Sequence, residues 1–170
     1  MELRLHAHPW AWRAPDWRAA AAAGLAAGAV LMVLELLWAA SMTQDAPWRI
    51  PQLVAALALG PGILDRAPDA LGPSVVWAAL LTHYVLGMLF GLVLGSIIAG
   101  FRYETDLGMV QTIGAAFGFG LYLLNFHLLT WALPWFAELR GWGTLLAHLV
   151  FGVVAAVLYW KLARPMPARH

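Results

Sequence analysis

Four long runs of apolar residues, separated by short breaks rich in polar residues, glycine or proline, fill most of this chain. A helix rises about 1.5 Å per residue, so about 20 mainly apolar residues cross a bilayer core. The runs at about 18–42, 74–101, 107–133 and 142–163 reach that length and predict four membrane-spanning helices. Within them Glu35 is the only acidic residue, and the arginines and Lys161 stand at or beyond the ends. A fifth apolar stretch around 51–64, IPQLVAALALGPGIL, is too short to span, and Gly60-Pro61-Gly62 would stop a helix there. It predicts an interfacial or re-entrant segment, which either lies greasily on the bilayer surface or forms a lid over the polar residues beneath it.

Composition agrees with this pattern. With 62% hydrophobic and 11% charged residues and a mean hydropathy of +0.74, a 170-residue soluble domain could not hide its apolar surface. The reading is one integral membrane domain over residues 1–170, all-α, a four-helix bundle. The absence of cysteine excludes a disulfide framework, a thiolate metal site and a cysteine nucleophile. A net charge of +1 offers no basic stripe for phosphates, so no nucleic-acid partner is expected. The opening MELRLHAHPWAWRAPDW lacks the short apolar core and small-residue cleavage site of a signal peptide, so the first helix is read as retained.

Trp17, Trp38, Trp48, Trp77, Trp131, Trp135, Trp142 and Trp160 fall mostly near the predicted helix ends, as an interfacial aromatic belt would. Arg4, Arg13, Arg18, Arg102, Lys161, Arg164 and Arg169 would lie on one side, and only Arg49, Arg66 and Arg140 on the other. Positive charge concentrates on the cytoplasmic side, which predicts cytoplasmic termini in a bacterial inner membrane.

The four runs also match in pairs. LLTHYVLGMLFGLVL from Leu80 aligns with LLAHLVFGVVAAVLY from Leu145, pairing His83 with His148 and Gly87 with Gly152. GLAAGAVLMVLELLW from Gly24 aligns with GAAFGFGLYLLNFHL from Gly114, pairing Gly28 with Gly118 and Glu35 with Asn125. The chain reads as two tandem duplicated helical hairpins related by a pseudo-twofold axis along the membrane normal. Gly87, Gly91 and Gly95 share the face of His83, Gly152 that of His148, and Gly28 and Gly118 those of Glu35 and Asn125, so with Gly24 and Gly114 they are candidate helix-packing positions.

Polar residues inside these runs form the candidate site. Glu35, His83, Asn125, His127 and His148 fall at nearly one depth, in the outer half of the predicted bundle. Ionisable groups are costly in a membrane and face a partner, a cavity or a ligand. The first reading is a transition-metal site in which Glu35, His83, His148 and His127 are the ligands. These are hard ligands for zinc, iron, manganese or copper(II). Asn125 and His127 stand about 200° apart on an α-helix, so both cannot point at the bundle axis. The second reading is a haem between His83 and His148, ranked lower because Glu35 sits awkwardly beside a porphyrin. The third is a cofactor-free proton relay, channel, sensor or transporter built on the same residues.

Thr82, Tyr84, Tyr122 and Thr130 lie close enough along the chain to support the layer. His6 and His8 form a His-x-His pair in the N-terminal tail, an incidental feature rather than a site. No catalytic triad, phosphate loop or nucleotide fingerprint is present, so no enzyme chemistry is expected outside the polar layer. Beyond the lipid bilayer, the partners left open are a second copy of the chain and a larger membrane complex, in which the chain would be a structural subunit.

At Glu35 in the first helix, Thr82-His83 in the second, His127 or Asn125 in the third and Ala147-His148-Leu149-Val150 in the fourth, the chain resembles the YagU-like bacterial inner-membrane proteins. The resemblance implies a four-helix inner-membrane protein with a link to acid tolerance.

Overall fold

Small side chains dominate the first apolar run, and Asp16 starts its helix: one carboxylate oxygen accepts the Ala19 N–H at 3.1 Å. The computed structural model describes residues 14–42, 48–67, 72–101 and 106–163. Five α-helices follow in order: α1 (Trp17–Met42), α2 (Arg49–Leu59), α3 (Pro73–Phe101), α4 (Leu107–Leu123) and α5 (Trp142–Leu162). Asp106 caps α4 by accepting the Gly108 N–H at 2.8 Å. The third apolar run does not stay α-helical. It passes at Leu124–Leu128 into a π-helical turn and at Leu129–Trp131 into a 3₁₀ turn, and a further 3₁₀ turn covers Pro134–Leu139.

The chain is therefore an all-α membrane protein whose four long helices are each apolar and long enough to cross a bilayer: α1, α3, α4 with its π and 3₁₀ extension, and α5. Their outward faces carry exposed apolar side chains, among them Leu25, Val33, Leu37, Leu81, Val93 and Leu146. Such surface suits lipid and is too extensive for water. Trp17, Trp77, Trp131 and Trp142 are exposed near the helix ends. Trp135 and Trp160, expected in the same belt, instead pack against buried residues. The N-terminal and C-terminal tails, with His6, His8 and the arginines Arg4, Arg13, Arg164 and Arg169 counted for orientation, lie outside the described residues, as does Arg102.

Glycine sets the helix spacing. α1 packs on α3 where Gly24 meets the backbone of Gly87 and Gly91, and α4 packs on α5 where Gly114 meets Gly152. At these contacts an added Cβ would collide with backbone atoms, so the close approach requires glycine. α1 also lies along α5, whereas α3 and α4 touch only slightly. The shared core is filled by Leu31, Leu94, Ile98, Phe151 and Tyr159 among small alanines.

α2 closes one end of the bundle, called here the capped end. It stops at Gly60, whose φ of +86° suits glycine, and Pro61 starts the 3₁₀ turn Pro61–Asp65. Gln52 is fully buried and folds this turn back, donating to the carbonyls of Ile63 at 2.7 Å and Arg66 at 2.9 Å. Ala55, Ala56 and Ile63 then pack on Val75 and Ala79 of α3.

Candidate functional site

Beneath α2 lies a cavity of about 210 Å³, with walls contributed by all four long helices and α2. Glu35 of α1, His83 of α3, Asn125 of the π turn and His148 of α5 all line it. Most of the remaining wall is apolar, including Phe90, Phe126, Phe136 and Phe151, with Val54 and Leu57 of α2 on the capped side. The structure thus brings together four of the five polar-layer residues.

His127 is the one it leaves out: exposed, it stacks at 5.4 Å between ring centroids on Tyr122 and is not part of the cavity wall. Asn125 and His127, two residues apart, fall on nearly opposite faces. A π turn takes in more residues than an α turn, and here Asn125 reaches the cavity while His127 faces outward. Arg140 holds this irregular helix end. Its Nε donates to the Phe126 carbonyl at 2.5 Å and its Nη2 to Thr130 Oγ1 at 2.9 Å, while Thr130 donates to the His127 carbonyl at 3.0 Å.

The two imidazoles are oriented by backbone. His83 Nε2 lies 2.8 Å from the Gly28 carbonyl, and His148 Nδ1 lies 2.9 Å from the Thr144 carbonyl. A carbonyl oxygen only accepts, so each of these nitrogens is the protonated donor. In the neutral imidazoles this leaves His83 Nδ1 and His148 Nε2 as lone-pair acceptors. Glu35 Oε1 lies 3.9 Å from His148 Nδ1, too far for a hydrogen bond, and the carboxyl has no hydrogen-bond partner among the described residues. Only one fully enclosed side-chain nitrogen or oxygen lacks a partner among the described residues, and it is Trp135 Nε1. The free imidazole nitrogens and the Glu35 oxygens therefore reach open volume.

Two further spaces adjoin the cavity. One of about 130 Å³ lies between α1, α2 and α3, shares Glu35, His83 and Val54 with it, and is bounded by no residue of α4 or α5. Glu35 and His83 thus stand between a chamber inside the bundle and one on its flank. The other, about 240 Å³, is a groove at the capped end that mixes Arg49, Glu138, Arg140 and Thr144 with apolar residues such as Trp38, Ile50 and Leu53 and shares Leu139 with the central cavity. Arg49 crosses this groove in a paired contact with Glu138, Nε to Oε2 at 3.0 Å and Nη2 to Oε1 at 2.9 Å, tying α2 to the turn Pro134–Leu139.

Of the supporting residues named from sequence, Tyr122 packs edge-on to the His148 ring at 6.3 Å between centroids, and Tyr84 packs likewise on His83 at 6.0 Å. Thr130 serves the helix end rather than the cavity. Thr82 is half-buried on α3 and does not line the cavity. Sequence reasoning missed Gln52, Glu138 and Arg140 as parts of the roof. Arg49 and Arg140 were visible only as topology-setting charge, Glu138 not at all, and Gln52 as one polar residue in a greasy stretch. Among the described residues no three His, Asp or Glu side chains are grouped so as to hold a metal ion. No protein-family model, curated protein or solved structure matches the chain.

Proposed function

We propose that the Glu35, His83, Asn125 and His148 cavity is an intramembrane proton- and cation-exchange site in a small transporter or sensor. The observation that carries this reading is the Glu35 carboxyl, set in a largely apolar chamber with no hydrogen-bond partner among the described residues. A group purely for packing would be satisfied by a neighbouring helix, since a polar atom left unpaired in such surroundings is costly. His83 does behave that way with one nitrogen, which bridges α3 to α1. Its other nitrogen and both Glu35 oxygens stay available.

The flanking spaces support exchange. The groove of Arg49, Glu138 and Arg140 shares Leu139 with the central cavity, the apolar chamber between α1, α2 and α3 shares Glu35 and His83 with it, and Ile50 borders both spaces. With the termini in the cytoplasm the groove faces outward, and a relation to the YagU-like proteins belongs to the same proposal. Pairing of the hairpins recurs at positions that the alignment matches, Gly24 with Gly87 and Gly114 with Gly152, which favours descent by tandem duplication.

One observation favours a second reading, a transition-metal site. A metal-bound histidine characteristically gives its other N–H to a carbonyl, as both imidazoles do here. Closing an ion would require the acid and imidazoles to draw together, and Asn125 rather than His127 would be the fourth group. The two readings separate on protein purified in mild detergent without a histidine tag, offered zinc, iron, manganese or copper(II) in turn, then dialysed and subjected to elemental analysis. The exchange reading predicts folded, colourless protein with far less than one metal per chain. One metal per chain, lost in both His83→Ala and His148→Ala, would replace it with the metal reading, and a Soret band would replace it with haem.

A further inference from the structure

The polar atoms offered to the central cavity are unequal in kind. His83 Nε2 and His148 Nδ1 spend their N–H groups on backbone carbonyls. What remains for an occupant is His83 Nδ1, His148 Nε2 and the Glu35 oxygens, all lone-pair acceptors when Glu35 is ionised. Only the Asn125 carboxamide can donate as well as accept. A wall of acceptors repels anions and leaves carbonyl-bearing molecules such as quinones short of donors. It suits an occupant that brings several N–H donors and positive charge.

The rest of the wall describes the rest of the occupant. Phe90, Phe126, Phe136 and Phe151 offer ring faces and edges, and a cation near an aromatic face is favoured once water is excluded. Size follows from volume. The cavity measures about 210 Å³, above the roughly 150 Å³ that accommodates benzene and below the roughly 300–1,000 Å³ of sites for drug-sized ligands. Access follows from the flank chamber, whose lining includes Met32, Leu36, Trp48, Ile50, Val76 and Leu80 beside Glu35 and His83. Such a passage suits an apolar body better than a hydrated ion.

Resting on the exchange reading, we infer that this cavity binds a small lipophilic primary ammonium, about one ring or a short alkyl chain in size. Its ammonium group would sit on Glu35 with His83 and His148 as further acceptors, its apolar part among the phenylalanines.

Calorimetric titration of the full chain in lipid nanodiscs, with empty nanodiscs as blank, tests this with three probes of nearly equal shape: benzylammonium, benzyl alcohol and benzoate. The ammonium should bind about ten- to hundredfold more tightly than the alcohol, with no binding of benzoate. Glu35→Gln should weaken the ammonium by about tenfold or more and the alcohol by much less, since Gln still offers a neutral acceptor but no charge. Equal binding of ammonium and alcohol, or binding of benzoate, would overturn the inference without needing any variant. So would failure of all three. If none binds while the infrared carboxyl signal of Glu35 still responds to pH, the exchange reading survives and only the ammonium is lost. If that signal is silent too, both fall.

Discussion

The hairpins α1/α3 and α4/α5 are built on the same glycine seam yet treat the polar layer differently. In the first, α1 runs unbroken through Glu35, and His83 reaches across to the Gly28 carbonyl of the neighbouring helix. In the second, the helix loosens into a π turn at the matching Asn125, and His148 bonds to Thr144 of its own helix. The same contrast appears about two turns away. A Cβ on Gly28 would lie 3.6 Å or more from its neighbours, with the His83 ring among them, whereas a Cβ on Gly118 would run into the His148 backbone. At this level the first pair of helices leaves room beside the His83 ring and the second does not, although at Gly24 with Gly87 and at Gly114 with Gly152 both pairs meet backbone to backbone. One half thus carries the ionisable acid above a seam that loosens at Gly28, whereas the seam of the other half stays tight through Gly118.

The sharpest break in this comparison is chemical. Glu35→Gln should abolish acid-pulse proton uptake into proteoliposomes, while Asn125→Leu at the matched position should retain more than half of it. Equal losses would mean that the halves contribute alike. Packing comes next. Gly118→Ala should destabilise the protein by about 1–3 kcal/mol through overpacking, read as a lower thermal midpoint in mild detergent, and Gly28→Ala should change it by well under half as much. The reverse order would contradict the seam assignment.

Much of this was legible beforehand, and the failures are instructive. Four apolar runs required four long helices, because length and hydropathy leave a membrane chain few alternatives. Glu35, His83 and His148 stood out because ionisable groups are rare in such runs. His127 was harder to place, since a regular 3.6-residue period underlies any such reading and the π turn replaces it at that residue. The roof was equally hidden. Arg49 and Glu138 are 89 residues apart in sequence, and nothing local announces that pair.

Smaller effects refine the picture. His83→Leu removes a hydrogen bond between helices and should cost about 0.6–1.7 kcal/mol, measurable by unfolding in detergent with the Gly28→Ala protein as reference. Arg49→Ala should cost about 1–2 kcal/mol, little of it from the substantially exposed pair with Glu138 and most from the buried Gln52 Oε1, which loses the Arg49 N–H it accepts at 3.0 Å. Its clearer sign would be faster hydrogen exchange across α2 than across α5.

Infrared titration of the protein in lipid, comparing the chain with its Glu35→Gln variant, most directly tests whether Glu35 is an exchangeable acid in an open cavity. The account predicts a pH-dependent protonated-carboxyl band, also sensitive to deuterium exchange from bulk solvent, that is missing in the variant. A spectrum with no such band at any pH, or a band that solvent deuterium never reaches, would contradict it.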